Sequence, residues 1–241
     1  MVTPDPEGKR TLEVISKAEQ FNQWLYTEIR PFLSGKILEI GSGLGNISKF
    51  VIRDNYNITL SDYNEDYYYY LKKKYQSDPN VADILQIDLL HHSFEEEYLT
   101  LKNSFDTIFL LNVIEHVEDD EKALKNLGTL LKKNGNLILL APAFNWLYCR
   151  FDRELGHYRR YTKKSMGELL SDHNFNISCC RYFNAAGIPG WFIFGKLLNR
   201  KLIGKNEMSL FNYFVFLFKI IDKILSNTVG LSVISCSTKK E

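Results

Sequence analysis

The sequence predicts an α/β fold in which helices cover both faces of a doubly wound, seven-stranded Rossmann-like sheet. Apolar runs of strand length recur along the chain, and segments with helical spacing lie between most of them. The first of these runs leads directly into a glycine-rich turn followed by a helical pattern. Both observations are typical of parallel strands joined by crossover helices. The predicted strands are 36–40, 57–62, 83–88, 105–111, 136–141, 176–183 and 231–237.

Two helical segments flank this alternating core. Residues 12–33 carry apolar side chains at helical spacing and predict an N-terminal helix. Residues 187–229 form a helical insertion of two pieces before the last strand, and the second piece, 210–225, is mostly apolar. Its unbroken apolar run, 213–218, is much shorter than the ~20 residues of a membrane span. Its aromatic side chains favour a core or lid position, although exposure would allow peripheral membrane contact.

Composition and charge exclude several classes of function. With 30 Lys and Arg against 29 Asp and Glu, the formal net charge is +1, which provides no overall field to hold a polyanion. We therefore expect no nucleic acid partner. Residues 1–10 are polar and lack the apolar core of a secretory signal, so the predicted location is cytoplasmic. The four cysteines have neither zinc-site spacing nor the pattern of a disulfide framework.

The glycine turn has the features of a ligand site. Gly41, Gly43 and Gly45 lack Cβ atoms, so the backbone around Ser42 can turn tightly and approach a ligand. Free amides at the start of the next helix favour an anionic group. Glu39 places a carboxylate nearby that repels a pyrophosphate and attracts an ammonium group. A ligand with both an amino group and a carboxylate fits better than a dinucleotide, for which the third glycine comes one place early.

Acidic side chains follow the next two predicted strands. Asp62 lies about 20 residues past the first glycine, where a carboxylate can accept hydrogen bonds from both hydroxyls of a ribose. Tyr63 is placed to lie against adenine. Asp88 and Leu89 end the third strand, and Asn112 follows the fourth. Because ligand sites in such sheets lie at the carboxyl ends of the strands, we expect these residues to converge.

These motifs resemble those of the class I S-adenosylmethionine-dependent methyltransferases over about residues 18–183. LEIGSGLG is similar to their first motif, Ser-Asp at 61–62 to their ribose-binding acid, IDL at 87–89 to their adenine-contacting acid, and FDTIFLLNVIEHV to their fourth-strand motif. The resemblance implies S-adenosylmethionine as cofactor, S-adenosylhomocysteine as product, and an antiparallel last strand. The insertion at 187–229 departs from the family pattern.

Carried over by position, the resemblance implies a role for each matching residue. Asp62 would bind the ribose, Asp88 the adenine, and the Asn112 backbone the amino group, while Glu39 and the glycines would hold the methionine part. The full set of predicted cofactor-binding residues is Glu39, Gly41, Ser42, Gly43, Gly45, Asp62, Tyr63, Asp88, Leu89 and Asn112.

We expect one domain over 1–241, because the length and a hydrophobic content of 45% suffice for a single large core. No repeat, low-complexity segment or linker divides the sequence. Within this domain, 36–145 is the predicted cofactor-binding half and 146–241 the predicted acceptor-side half.

The segment after the fifth strand is predicted to lie over the transferred methyl group. Residues 149–164 contain six basic and two acidic side chains, which favours an anionic acceptor. Arg159 and Arg160 can bind a carboxylate or phosphate in a bidentate manner, with Tyr148 and Tyr161 as further contacts. Alternatively, the two arginines pair with acidic side chains of the same segment, Asp152 and Glu154, as a structural latch.

His157 is the first candidate for a general base, because an imidazole near neutrality can take the proton of an attacking hydroxyl or amine. His116 is the second candidate. Methyl transfer depends mainly on aligning nucleophile, methyl carbon and sulfur, so a base helps only modestly. The reaction needs no metal, and we predict none; a divalent ion at the Glu115-His116 pair is an alternative that we do not adopt.

The leading hypothesis is methyl transfer to a small acceptor, anionic or lipid-linked, with oxygen favoured over nitrogen or carbon. A second hypothesis is a membrane-associated binding or scaffold protein that retains a cofactor pocket and contacts a partner or bilayer through 187–229. An NAD(P)-dependent oxidoreductase is disfavoured by the glycine spacing. The sequence does not determine the oligomeric state.

Overall fold

The computed structural model describes residues 6–225 and 228–240. Seven strands form one sheet: β1 (Ile37–Ile40), β2 (Ile58–Ser61), β3 (Val81–Leu85), β4 (Phe105–Leu111), β5 (Leu131–Pro142), β6 (Phe175–Phe183) and β7 (Ser232–Lys239). Their order is β3-β2-β1-β4-β5-β7-β6, and β7 alone runs antiparallel to both of its neighbours. The predicted seven-stranded sheet with an antiparallel last strand is confirmed.

Two strand boundaries differ from the prediction by three or more residues. β3 ends at Leu85, three residues before Asp88, because it pairs only with the short β2 and its last partner there is Ser61. β5 begins at Leu131, since Leu131 pairs with Phe105 of β4 before a register shift. Asp88 therefore lies in the loop after β3.

Helices cover both faces of the sheet and enclose two apolar cores. Because successive strand residues point to opposite faces, Ile37 and Leu38 belong to different cores. The core containing Ile37 is covered mainly by α2 (Glu19–Ile29), α3 (Ser48–Arg53), α4 (Glu65–Tyr75) and α10 (Lys205–Leu225). The core containing Leu38 is covered mainly by α5 (Phe94–Glu97), α6 (Asp120–Leu130) and α8 (Lys163–Asp172).

The N-terminal segment forms two helices where the sequence predicted one. α1 (Pro6–Ser16) and α2 are separated at Ala18, whose backbone is not helical. The Asn22 side-chain amide donates to the Ile15 carbonyl at 2.8 Å, which satisfies one of the free carbonyl groups at the end of α1. Leu12 of α1 lies against the glycine turn, 3.3 Å from where a Cβ on Gly43 would stand.

The predicted helical insertion is present. Its first piece is α9 (Gly187–Gly190), which continues as a π-helix over Trp191–Leu197, and its second piece is α10. α10 packs on α2, where the Asn212 side chain accepts a hydrogen bond from the Phe21 amide at 3.0 Å. Within the described residues, no helix is both long enough and apolar enough to cross a bilayer.

Candidate active site

The glycine turn adopts a conformation that requires glycine. Gly41, Gly43 and Gly45 have φ angles of 72°, 55° and 74°, in the left-handed region. A Cβ on Gly41 would lie 2.4 Å from a methyl group of Val113, and one on Gly45 would lie 2.6 Å from the Tyr75 ring. Backbone strain and steric contact together therefore keep side chains out of this turn.

Asp62 is bonded directly to the glycine turn. The Gly43 amide donates to Asp62 Oδ2 at 2.8 Å, and the Asn64 amide donates to Oδ1 at 2.9 Å. Burial raises the pKa of Asp62 to about 6, although both amide hydrogen bonds oppose this shift. A carboxylate has about four acceptor positions, so each oxygen retains capacity for a further donor such as a ribose hydroxyl.

Glu39 lies beneath the turn as a second buried acid. Its side chain is almost fully buried and accepts a hydrogen bond from the Ser48 hydroxyl. Burial raises the pKa of Glu39 to about 7, and the nearby Asp62 adds to the shift. The Ser42 hydroxyl accepts a hydrogen bond from the Ser61 amide at 3.2 Å, which ties the turn to the end of β2. A bound cation would compensate the two acids.

The loops after β2 and β3 meet at the same edge. The Gln86 side-chain amide donates to the Tyr63 carbonyl at 3.0 Å, and the Tyr63 ring is exposed. Asp88 Oδ1 accepts from the Leu90 amide at 2.8 Å, while the Asp88 amide donates to the Tyr98 hydroxyl at 3.0 Å. Leu89 is buried between them. The structure thus places Asp62, Asp88 and their neighbours on adjacent loops.

Asn112 follows β4 with a left-handed backbone, φ 56°. Its amide donates to the Leu140 carbonyl of β5 at 2.8 Å, and its side chain is exposed. The sharp turn at Asn112 directs the following residues, Val113 to His116, across the end of the sheet. Val113 is the side chain that approaches Gly41.

On the acceptor side, Asp152 organises a buried cluster of three side chains, Asp152, His157 and Arg160. His157 Nδ1 lies 2.9 Å from Asp152 Oδ1, and Arg160 donates to the two carboxylate oxygens at 2.8 and 3.2 Å. Burial alone would raise the pKa of Asp152, but the hydrogen bonds from His157, Arg160 and the Cys149 amide hold it below its usual value. We call these three residues the Asp152 cluster.

The Arg160 side chain is buried and forms its contacts within the protein. Its side chain is 0% exposed, its third donor goes to the Ala143 carbonyl at 2.8 Å, and its guanidinium carbon lies 4.8 Å from the centre of the Trp191 ring. This arrangement agrees with the latch interpretation for the Arg160–Asp152 pair. Glu154 does not take part, because it pairs with Arg150 at 3.0 Å.

The other predicted acceptor-binding side chains also contact the protein. Arg159 pairs with Asp120, and the Tyr161 hydroxyl donates to the same carboxylate at 2.7 Å. The Tyr148 hydroxyl donates to the His157 carbonyl at 2.8 Å. Their roles in acceptor binding stay predictions.

His116 and His157 meet although 41 positions separate them. Their ring centres are 4.6 Å apart with the planes nearly perpendicular. The contact arises because the Tyr158 amide donates to the Glu115 carbonyl at 2.8 Å, which anchors the acceptor-side loop on the segment after β4.

The structure places Glu115 beside both histidines, whereas the sequence prediction named it only in an alternative that was not adopted, a divalent ion at the Glu115-His116 pair. Its side chain is 0% exposed, and no other described residue donates a hydrogen bond to either carboxylate oxygen. Burial raises the pKa of Glu115 to about 7. Its position next to His116 in the fourth-strand motif was the available signal, but a sequence does not reveal a missing hydrogen-bond partner.

The sheet order with β7 antiparallel, and the buried acids around a glycine turn at the carboxyl ends of the strands, define a class I methyltransferase fold. Residues 38–139 match the family described as "Methyltransferase domain". This match spans less than half of the chain, and over these residues the chain is similar to the S-adenosylmethionine-dependent methyltransferases, in which S-adenosylmethionine is the methyl donor.

Two curated relatives match part of the chain. The mitochondrial ubiquinone biosynthesis O-methyltransferase of Schizosaccharomyces pombe is 29% identical over 133 residues, which are 55% of this chain and 47% of that protein. The ubiquinone/menaquinone biosynthesis C-methyltransferase of Rickettsia peacockii is 34% identical over 116 residues, 46% of this chain and 45% of that protein. The chain thus spans about half the length of the curated relatives it matches.

Solved structures share the fold at low identity. A SAM-dependent methyltransferase from Archaeoglobus fulgidus superposes with a TM-score of 0.58 at 14% identity, covering 90% of this chain and 94% of that one. Phosphoethanolamine N-methyltransferase 2 of Haemonchus contortus, solved with S-adenosyl-L-methionine, gives 0.59 at 15% identity, covering 95% and 57%. At these identities the likeness extends to the fold alone.

Proposed function

We propose that this chain transfers the methyl group of S-adenosylmethionine to an oxygen atom of a small acceptor that is anionic or lipid-linked. The observation that carries the proposal is the direct hydrogen bond between Asp62 and the Gly43 amide. It fixes a carboxylate beside a turn in which only glycine fits at three positions, and we propose that a nucleoside bound there lies within its reach.

The charges of the cofactor match the acids around the turn. Glu39 and Asp62 are both buried, and Asp62 lies close enough to Glu39 to raise its pKa further. A ligand with an ammonium group offsets a buried carboxylate, whereas a pyrophosphate adds repulsion. The proposed contacts are Glu39 and the glycine amides with the methionine part, Asp62 with the ribose, and Asp88 and Tyr63 with the adenine.

The names of the two curated relatives support a small-molecule acceptor. One is called an O-methyltransferase and the other a C-methyltransferase, both of quinone biosynthesis. We favour oxygen because a hydroxyl acceptor must lose a proton, and His157 is held by Asp152 in the manner of a general base. With Nδ1 engaged by Asp152, Nε2 is the ring nitrogen available on the acceptor side.

The exposed side of α10 supports a lipid-linked acceptor. One stripe of this helix, including Met208 and Val215, is buried against the domain, and large apolar side chains cover most of the remainder. The exposed apolar residues are Leu210, Tyr213, Phe214, Phe216, Leu217, Ile220, Ile221, Ile224 and Leu225. We call this surface the α10 face. An apolar face of this extent on one helix is typical of a membrane or protein contact.

Charge around the α10 face favours an anionic bilayer. The exposed lysines of the insertion, Lys196, Lys201, Lys205, Lys219 and Lys223, lie on the same two helical pieces and their connection. Its two acids do not oppose them, because Glu207 pairs with Arg200 and Asp222 is buried. Lysine side chains can extend from an apolar face to lipid headgroups. We propose that the protein binds the membrane surface through this face.

Cofactor binding is tested by calorimetry with S-adenosylhomocysteine. In Asp62→Asn the loss of a charge-assisted acceptor for the two ribose hydroxyls is expected to weaken binding by about 100-fold or more, since each such bond contributes about 1.5–3 kcal/mol. Asp66→Asn, which makes the same change on an exposed side chain four residues away, should bind normally. Equal affinity of Asp62→Asn and wild type would contradict the ribose assignment.

Acceptor chemistry is tested by incubating the protein with isotopically labelled S-adenosylmethionine and native extract, followed by mass spectrometry. Label in the membrane fraction is expected for a lipid-linked acceptor, and label in the aqueous fraction for a free one. His157→Gln should lower turnover while S-adenosylhomocysteine affinity is kept. A labelled product at the wild-type rate in His157→Gln would remove His157 from the mechanism.

Membrane contact is tested by co-sedimentation with vesicles of phosphatidylcholine, with and without phosphatidylglycerol. Ile224→Asp, at a side chain 75% exposed, is expected to abolish sedimentation with the anionic vesicles. Asn206→Asp adds the same charge at another exposed position of α10 and should sediment like wild type. If the wild-type protein does not bind vesicles but self-associates in solution, the α10 face contacts a second copy of the chain instead. Vesicle binding without methyl transfer to any acceptor would favour the scaffold hypothesis.

A further inference from the structure

Glu115, His116 and His157 bring three potential metal ligands together. One ligand atom from each lies within 4.8 Å of the other two. Around an ion with metal–ligand distances of about 2.0–2.2 Å, ligand atoms lie no farther apart than about 4.4 Å, so a small side-chain adjustment completes the geometry. Glu115 and His157 are buried, whereas His116 is exposed and gives the cluster an open side.

The Glu115 carboxylate is the strongest indication that this cluster binds a cation. It is 0% exposed, and neither oxygen accepts a hydrogen bond from any other described residue. A buried carboxylate without such partners is costly, so the group either carries a proton or faces a cation. Arg160, the nearby buried cation, directs its hydrogen bonds to Asp152 and the Ala143 carbonyl.

The surroundings of His157 have the form of a metal site's supporting shell. Metal-binding histidines commonly place their second ring nitrogen against a carboxylate, which fixes the tautomer and the ring orientation. Here Asp152 lies 2.9 Å from His157 Nδ1, so the remaining nitrogen, Nε2, is available as a ligand. Arg160 and the Cys149 amide in turn hold Asp152. This chain of contacts is buried and fixed before any ion binds.

We propose that Glu115, His116 and His157 bind a divalent transition-metal ion. Two imidazoles and one carboxylate suit Zn²⁺, Mn²⁺ or Fe²⁺, and they leave coordination positions for water or another ligand. Mg²⁺ and Ca²⁺ prefer oxygen ligands throughout, so they fit this donor set poorly. The sequence prediction was no metal, with a divalent ion at the Glu115-His116 pair as the alternative that was not adopted; His157 is the ligand that the structure adds.

The consequence for the reaction rests on the proposed function. An acceptor oxygen in an open coordination position would lose its proton more readily, because the ion stabilises the oxyanion. With an ion bound, the lone pair of His157 Nε2 would be used as a ligand, so His157 would hold the ion in place of the base role proposed above, and the acceptor's proton would pass to solvent. Acceptors with two adjacent oxygens are the class best suited to such a site.

Metal binding is tested without reference to activity. Full-length protein stripped with a chelator is titrated with Co²⁺, whose visible absorption reports its ligands, and with Zn²⁺ by calorimetry. One equivalent of either ion is expected to bind, and Mg²⁺ is expected to produce no comparable heat. His116→Gln removes an exposed ligand with little risk to folding, and should weaken Co²⁺ affinity by about 100-fold. Glu115→Gln, which keeps the side-chain volume, should do the same.

His173→Gln is the matched control, because this histidine lies at the end of α8 outside the cluster and bonds to the Leu169 carbonyl. It should keep full Co²⁺ affinity. Absence of a one-equivalent event, or equal Co²⁺ affinity in wild type, His116→Gln and Glu115→Gln, would overturn the metal site. S-adenosylhomocysteine affinity measured on the same samples separates this outcome from failure of the proposed function, since cofactor binding depends on Asp62.

Discussion

The buried Asp152–Arg160 pair gives a sharp prediction for stability. Both side chains are 0% exposed, and Asp152 is the carboxylate that balances the Arg160 guanidinium. Asp152→Asn removes the charge and nearly preserves the shape. An arginine then remains in the interior without a counter-ion, and the His157 ring loses its anionic partner.

The expected loss follows from the burial of the pair. Breaking a buried ion pair by removing one partner costs about 3–5 kcal/mol in unfolding free energy, because the remaining charge is not rehydrated. Asparagine still offers one carbonyl oxygen as an acceptor, so a value near the lower end is expected. In a protein of this size each kcal/mol shifts Tm by about 2–4 °C, which predicts a decrease of at least about 6 °C.

Urea unfolding followed by tryptophan fluorescence, together with calorimetric Tm, measures this loss. Glu168→Gln is the control, since it breaks an exposed pair with Lys164 and should cost less than about 1 kcal/mol. In the double variant Asp152→Asn/Arg160→Met the unpaired charge is gone, so its loss should be smaller than the sum of the single losses. Equal losses for Asp152→Asn and Glu168→Gln, or strict additivity in the double variant, would refute the reasoning.

Two further predictions concern the glycine turn and pH. Gly45→Ala and Gly156→Ala both place a side chain at positive φ, but only at Gly45 does the added Cβ meet another residue. In urea unfolding, Gly156→Ala should therefore lower the free energy of unfolding by about 1–2 kcal/mol, and Gly45→Ala should lower it more. Equal losses would contradict the contact between Gly45 and the Tyr75 ring. Glu39 and Asp62 have pKa values raised to about 7 and about 6, so the folded ligand-free protein retains protons that the unfolded chain releases. Its stability should therefore fall as pH rises from about 4 to about 7. The ammonium group of S-adenosylhomocysteine favours the ionised acids, so this ligand should bind more tightly at pH 8 than at pH 6 and should release protons when it binds. Calorimetry in buffers of different ionisation enthalpy measures both effects. An affinity that does not change with pH would contradict the proposed contact between the ammonium group and the acids.

Local sequence signals predicted the sheet and the glycine turn. Alternation of apolar strands with helical segments depends on residues close together in sequence, and it located all seven strands. A missing Cβ affects the backbone conformation of the glycine itself, so the tight turn at Gly41 to Gly45 was predicted before any contact was known. The same signals were weakest at boundaries. β3 ended early because its neighbour β2 is short, which is a property of pairing and not of β3 itself.

The acceptor side was only partly readable. The basic segment, its histidine and a latch interpretation were all predicted, but the sequence does not determine which acid each arginine contacts. In the structure Arg160 pairs with Asp152 and Arg159 with Asp120. Glu115 appeared only in an alternative that was not adopted, because the feature that distinguishes it is a buried carboxylate to which no other described residue donates a hydrogen bond.

The sequence by itself determined the resemblance to the methyltransferases, the seven-stranded sheet and the acids near the glycine turn, because strand periodicity, glycine conformation and motif spacing are properties of contiguous residues. Tertiary structure alone decided that Glu115, His116 and His157 form one cluster, that Arg160 is internal, and that the outer side of α10 is exposed. These features depend on which distant segments pack together and on which side chains this packing buries. A pattern of residue types along the sequence specifies neither the packing nor the burial.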